Sequence, residues 1–174
     1  MRERHVTLLD GEKVFIRPLT AADAALYPDF LAEVTANDLR LRFFAPIKDL
    51  SHQLTARLSQ IDYAREMALI AQPADGSAAL GVARYSADPD NKRAEFALAV
   101  RSDWHRRGLG RLLMLSLLDV ARRRGVEALT GEVLRENGPM LSLCRSLDFS
   151  VAASLSDPAV VRVTRLTGAH AGGA

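Results

Sequence analysis

Ala94–Gly125 reads AEFALAVRSDWHRRGLGRLLMLSLLDVARRRG, and the change of period inside it sets the architecture. In its first part polar or small residues alternate with large apolar ones, as in a strand. Glu95, Ala97 and Ala99 share one face, and Phe96, Leu98 and Val100 share the other. A turn containing Gly108 and Gly110 follows. From there Leu109, Leu112, Leu113, Leu117 and Val120 recur at helical spacing, and Gly125 stands where a C-cap glycine ends a helix. The stretch is a strand, a glycine turn and a long amphipathic helix.

The flanks continue the alternation. Val14-Phe15-Ile16 before Arg17-Pro18 predicts a strand closed by proline, with Thr20 capping a helix from Ala21 to Ala36. Ser51 caps a second helix carrying Leu54, Leu58 and Ile61. MALIAQ and ALGVARYS, separated by the turn Pro73-Ala74-Asp75-Gly76, predict a hairpin. Downstream, VEALTGEVL is a strand, Pro139 to Leu147 a short helix, and FSVAASL and VVRVTRL are two further strands. The class is α/β, a mixed and largely antiparallel sheet with helices on both faces. One domain over residues 10–167 is expected, with 168–174 (GAHAGGA) a tail too small to pack.

A chain of 174 residues supports one core, and 48% hydrophobic with 25% charged residues is the balance of a globular domain that needs no staples. Cys144 is the single cysteine, which rules out an intrachain disulfide and a cysteine-based zinc site. His5, His52 and His170 lack ligand-like spacing, so no metal is expected. The apolar runs are broken by charge, and MRERHVTLLDGEK has no signal-peptide core, so no membrane association is expected and a cytoplasmic location fits. With 23 basic against 21 acidic residues the net charge is +2, which argues against a general nucleic-acid surface. The basic residues do cluster, between Arg101 and Arg111 and at Arg122, Arg123 and Arg124.

The glycine turn is the candidate anion site. Glycines at a strand-to-helix junction let backbone N–H groups approach a ligand, and a helix N-terminus adds partial positive charge. Arg106, Arg107 and Arg111 add full charges. A tight turn with no ligand explains the two glycines equally well on their own. A nucleoside triphosphate loop would need Lys-Ser or Lys-Thr after Gly110, where Arg111-Leu112 stands, and a dinucleotide fingerprint would need a third glycine.

His105–Gly110, HRRGLG, resembles the acyl-CoA-binding turn of the GNAT N-acetyltransferase superfamily: Gln or Arg, two residues, Gly, one residue, then Gly or Ala. His105 stands where Gln or Arg is usual. LRFFAPIK, LSQIDYAREMALIA, GVARYSADPDNKRAEFALAV and GEVLREN extend the resemblance to the acetyltransferase domain of bacterial Pat-type protein lysine acetyltransferases, across about residues 10 to 167. The resemblance implies a GNAT fold, acetyl-CoA as co-substrate, and a protein lysine acceptor such as that of an acyl-CoA synthetase. It implies that Glu95 is the catalytic carboxylate. Leu98, Ala99, Val100, His105, Arg106, Arg107, Gly108, Leu109, Gly110 and Arg111 would meet acetyl-CoA. Asn137 would either cap its helix or contact CoA. Cys144 and Asp148 stand where Tyr and Gly are common.

The implied chemistry needs a base. A lysine amine near pKa 10.4 is protonated at neutral pH, and freeing its lone pair costs roughly 4 to 5 kcal/mol. Glu95 would accept that proton, backbone N–H groups near Ala99 and Val100 would polarise the thioester, and the CoA thiol, near pKa 8.5, would leave as thiolate. Glu132 is a weaker candidate base. Arg40, Arg42 and Phe43 are expected beside the acceptor channel, with Phe43 and Phe44 equally consistent with core. Arg122, Arg123 and Arg124 fit a solvated helix end or a contact to the CoA 3′-phosphate. A small-molecule amine acceptor, and an acyl-CoA-sensing domain without turnover, are the alternatives.

Overall fold

In a computed structural model that describes residues 3–43 and 52–168, the chain is organised by an eight-stranded sheet. Strands β1 (Arg4–Thr7), β2 (Lys13–Pro18), β3 (Glu66–Pro73), β4 (Gly81–Ala87) and β5 (Arg93–Val100) neighbour one another in chain order, each antiparallel to the last. β6 (Ala128–Leu134) lies parallel to β5, and β8 (Val160–Leu166) pairs with both β6 and the edge strand β7 (Ser150–Ala153). The sheet is therefore mixed and largely antiparallel, as the alternation predicts. β1 precedes the expected boundary at residue 10; the turn Leu8–Gly11 folds it onto β2. Of the expected tail at 168–174, residues 169–174 lie outside the described residues.

Helices cover both faces. On one, α1 (Tyr27–Ala32), α2 (Ala36–Phe43) and α3 (His52–Ser59) pack Tyr27, Phe30, Leu31, Leu39 and Leu58 over Ala68, Ile70 and Val82. On the other, α4 (Leu109–Arg123) and α5 (Gly138–Ser146) pack Leu109, Leu113, Leu117 and Leu141 over Leu69, Ala83 and Tyr85. Leu109, Leu113 and Leu117 are fully buried, each worth about 1.5–3 kcal/mol of transfer from water, while Leu112 is partly buried and Leu115 is exposed.

The single helix expected from Ala21 to Ala36 is three pieces: a 3₁₀ segment Ala21–Leu26, then α1, then α2. Pro28, in the first turn of α1, has no N–H to continue the helix before it. Thr35 starts the helix anew, its hydroxyl accepting Asp38 N–H at 3.2 Å. Thr20 N–H donates to Asp23 Oδ2 at 2.7 Å, and Arg17 grips the same carboxylate at 2.6 Å and 2.8 Å. The segment entry is thereby locked to β2. Gly125 ends α4 with φ +79, as expected of its C-cap. Among the described residues no helix is long and apolar enough to cross a membrane.

One glycine carries a packing constraint that sets the geometry described next. A Cβ at Gly131 on β6 would lie 2.7 Å from Phe96 Cε1 and 2.8 Å from its Cζ. The Phe96 ring lies across β6 at this point and meets Phe149 edge-on at 5.3 Å. Gly131→Ala is expected to destabilise the fold by about 1–3 kcal/mol through overpacking, although alanine suits a strand better than glycine. Urea denaturation of the variant checks the sign.

Candidate active site

β5 and β6 pair only from Arg93↔Ala128 to Glu95↔Thr130. Beyond Glu95, β5 stays with β4 as far as Val100, while β6 stays with β8 as far as Leu134. Two strands that part in this way leave a wedge walled by unpaired backbone edges. Ladder parity tells which groups face it. Asp88 N–H donates to Arg93 O at 2.8 Å, and Arg101 N–H to Leu80 O at 2.9 Å. The odd-numbered residues of β5 thus direct their backbone groups to β4, and because direction alternates along a strand, Phe96, Leu98 and Val100 direct theirs to the wedge. Leu98 and Val100 present an N–H there; Ala99 turns its own toward β4, contrary to the sequence-based expectation for its amide.

The glycine turn stands at the mouth of this wedge. Gly108, the N-cap of α4, has φ +85, and a Cβ there would meet nothing within 4 Å. The first intrahelical bond is Leu112 N–H to Gly108 O at 3.0 Å. The backbone N–H groups of Arg106 to Arg111 donate to no acceptor among the described residues, and the helix dipole adds to them. Free amides at the positive end of a helix can hold a phosphate or pyrophosphate. Gly110 faces inward, where a Cβ would lie 3.5 Å from Leu98 and 3.6 Å from Leu143, ordinary contact that also admits alanine.

The three arginines of the turn separate. Arg107 stacks over Trp104 at 3.8 Å and binds Asp10 at 2.6 Å, which holds the Asp10 carboxyl below its usual range. Arg111 donates to the Ser146 carbonyl and hydroxyl at 3.2 Å and 3.0 Å, tying α4 to the end of α5. Only exposed Arg106, at φ +59, keeps a side chain with no partner among the described residues. His105 puts Nε2 3.1 Å from Val100 O and Nδ1 4.0 Å from Asp38, so the turn, the end of β5 and α2 are joined.

Glu95 lies on the opposite side of the sheet from α4, at the apex of the wedge, exposed, and beside Ser86 of β4. Ala97 and Ala99 continue its face with minimal bulk. α2 crosses β5 and β6 here and brings half-buried Arg42 into electrostatic range of Glu95, its guanidinium 4.6 Å from the Phe43 ring centroid. Arg40 pairs with Glu136 at 2.6 Å and donates to Asn37 Oδ1 at 3.0 Å. Phe44 lies outside the described residues. A cavity of about 690 Å³, lined in part by Leu19, Ile61, Tyr63, Glu66 and Ser86, opens on the same face.

Other sequence candidates find structural roles. Asn137 Oδ1 accepts Met140 N–H at 3.2 Å, capping α5. Cys144 is buried in the core, and burial pushes its thiol up to about 11, so it remains protonated within the packing of α5. Asp148 takes φ 60 just past α5, the conformation that makes glycine common there. Glu132 is paired to Arg162 at 3.3 Å. Arg122 and Arg123 bind Asp119 at 3.4 Å and 3.0 Å, and Arg124 donates to the carbonyls of Tyr63 and Glu66. Arg84, on β4 opposite Ala97, is a neighbour of the site that the sequence reading did not single out. Its cue was its parity with Ser86, visible only once strand pairing is known.

The profile of the acetyltransferase (GNAT) family matches residues 34–149, from α2 through the wedge and the turn to the end of α5. The chain belongs to this family. It is an acetyl-CoA-dependent N-acetyltransferase. An acetyltransferase of Pseudomonas aeruginosa is 34% identical over 145 residues, covering 82% of this chain and 78% of that one. The GNAT domain of S. lividans PAT has the same fold, with TM-score 0.87, 28% identity, and coverage of 94% of this chain and 96% of that one. A ribosomal protein bS18-alanine N-acetyltransferase of Salmonella typhimurium is 44% identical over 57 residues, 33% of this chain and 38% of that protein.

Proposed function

We propose that this acetyltransferase works in the cytoplasm on the side-chain amine of a protein lysine, with Glu95 as general base. The observation that carries the reading is the placement of Glu95 at the apex of the wedge, on the face opposite the α4 amides. The two substrates then approach from opposite sides of the sheet. The amides of Arg106 to Arg111 hold the CoA pyrophosphate, and the thioester arm lies along β5. The amine enters over Ala97 and Ala99.

Glu95 accepts the proton of the ammonium, directly or through one water, and offsets part of the roughly 4 to 5 kcal/mol that deprotonation costs at neutral pH. The free amine attacks the thioester carbonyl, and the carbonyl oxygen gains negative charge beside the N–H groups of Leu98 and Val100. Collapse breaks the C–S bond, and the surplus proton of the new amide nitrogen passes to solvent. With Cys144 sealed in the core, no side chain is assigned as acid for the sulfur; a thiol near pKa 8.5 leaves as thiolate unaided. Arg107 and Arg111 contribute through their backbone and by fixing the turn.

The likeness to the GNAT domain of S. lividans PAT supports a protein lysine, whereas the relative from S. typhimurium supports a second acceptor, a protein α-amine. Mass spectrometry of folded proteins, an acyl-CoA synthetase among them, after incubation with the enzyme and acetyl-CoA separates the two. Acetyl groups on lysine Nζ are the expected result. Modification confined to N-terminal amines would replace the lysine reading with the second, and modification of small amines alone would overturn both.

A further inference from the structure

Two guanidinium groups, Arg42 and Arg84, stand on the acceptor side of Glu95, and among the described residues neither forms an ion pair with a carboxylate. Arg84 projects from β4, one strand over and two residues along from Glu95, which is about 8 Å between Cα positions. It is half-buried, and Nη1 donates to the Leu58 carbonyl at 3.1 Å, a neutral acceptor. Arg42, half-buried on α2, rests on the Phe43 ring. Arg84 is close enough for its charge to be felt at Arg42. Burial first, and Arg84 second, push Arg42 down to about 10, which still leaves it cationic at neutral pH.

Partly buried charges of one sign are ordinarily offset by a counter-ion. Among the described residues no carboxylate closes to ion-pair distance; Glu66, on the same face of β3, accepts Asp62 N–H at 2.9 Å and pairs with neither guanidinium. Burial pushes the Tyr27 phenol up to about 12, so it is neutral. Glu95 attracts Arg42 without closing to ion-pair distance, and it is a single carboxylate facing two cations. Asp23, on the same face, is already committed to Arg17. The unmatched charge lies where the acceptor must pass, beside Ala97 and Ala99.

We infer that Arg42 and Arg84 form an anion clamp that selects acceptors carrying a carboxylate close to the reacting amine. The inference rests on the reading that the acceptor approaches Glu95 from the α1–α3 face. Applied to a protein lysine, the clamp takes the side chain of an Asp or Glu next to it. A free amino acid would offer its α-carboxylate in the same place. The planar fork of each guanidinium suits a carboxylate in two-point contact.

The test compares two peptides that differ only in Asp or Asn beside the lysine, with free lysine and lysine amide as a second pair. The wild-type enzyme is expected to favour the Asp peptide by about 10- to 100-fold in kcat/KM. Arg84→Gln and Arg42→Gln should bring that ratio toward one, and Arg42→Glu should turn the preference toward a peptide with Lys in place of Asp, a change that misfolding cannot produce. Preference for free lysine over its amide would also support the clamp and name the α-carboxylate as its ligand. Equal kcat/KM for both members of both pairs would overturn it. Calorimetry with the acetylated Asp and Asn peptides covers the case of no turnover. Tighter binding of the Asp product, lost in Arg84→Gln, would retain the clamp and sink only the lysine reading, whereas equal binding would sink the clamp.

Discussion

Glu95→Gln is expected to lower turnover by roughly 10² to 10⁴ while leaving acetyl-CoA binding in place. The substitution keeps the shape of the side chain and removes its capacity to hold a proton. Glu95 is exposed at the wedge apex and supports no core packing, so the fold has little reason to respond. The turn proposed to hold acetyl-CoA lies with α4 on the other face of the sheet. Raising the pH should restore part of the rate, because more of the acceptor amine is then free of its proton without help. Steady-state rates between neutral and alkaline pH, with calorimetry of acetyl-CoA, give both readouts. Normal turnover at neutral pH with a lysine acceptor would remove Glu95 as the base. Glu132 would be a poor successor, since Arg162 already engages it.

Gly108→Val is expected to weaken acetyl-CoA binding on the order of 100-fold or more, the loss of a few hydrogen bonds to a charged group. At φ +85 a β-branched residue is strained, and relaxing that strain rotates the amides of the turn. The added Cβ meets nothing within 4 Å, so the side chain starts into open space and the domain should still fold. Gly110→Ala is the matched control. Its Cβ makes ordinary contact with Leu98 and Leu143, and binding should largely persist. Calorimetry that found unchanged affinity in folded Gly108→Val would displace the pyrophosphate from this turn.

The strand, glycine turn and helix of Ala94–Gly125 were legible because each depends on local spacing. Alternation sorted Glu95 from Phe96, and the leucines of α4 repeated at the period that buries them. The break in the first helix was also written locally, in Pro28 and Thr35, but the apolar pattern running through both obscured it. β1 gave little signal because it is an edge strand whose residues are mostly exposed. What was out of reach depended on partners distant along the chain. Nothing near Arg107 announces Asp10, and nothing near Arg111 announces Ser146. The direction of the Ala99 amide follows from which residue of β4 lies opposite, and the meeting of Arg42 with Arg84 depends on how α2 crosses the sheet.

The wedge itself is tested most directly by amide hydrogen exchange with and without acetyl-CoA. If the thioester arm lies along the free edge of β5, the N–H groups of Leu98 and Val100 should exchange more slowly when acetyl-CoA is bound. Ala99, whose N–H already faces β4, should change little. Unaltered exchange at Leu98 and Val100 in the presence of saturating acetyl-CoA would contradict the placement of the thioester between β5 and β6, and with it the role given to Glu95.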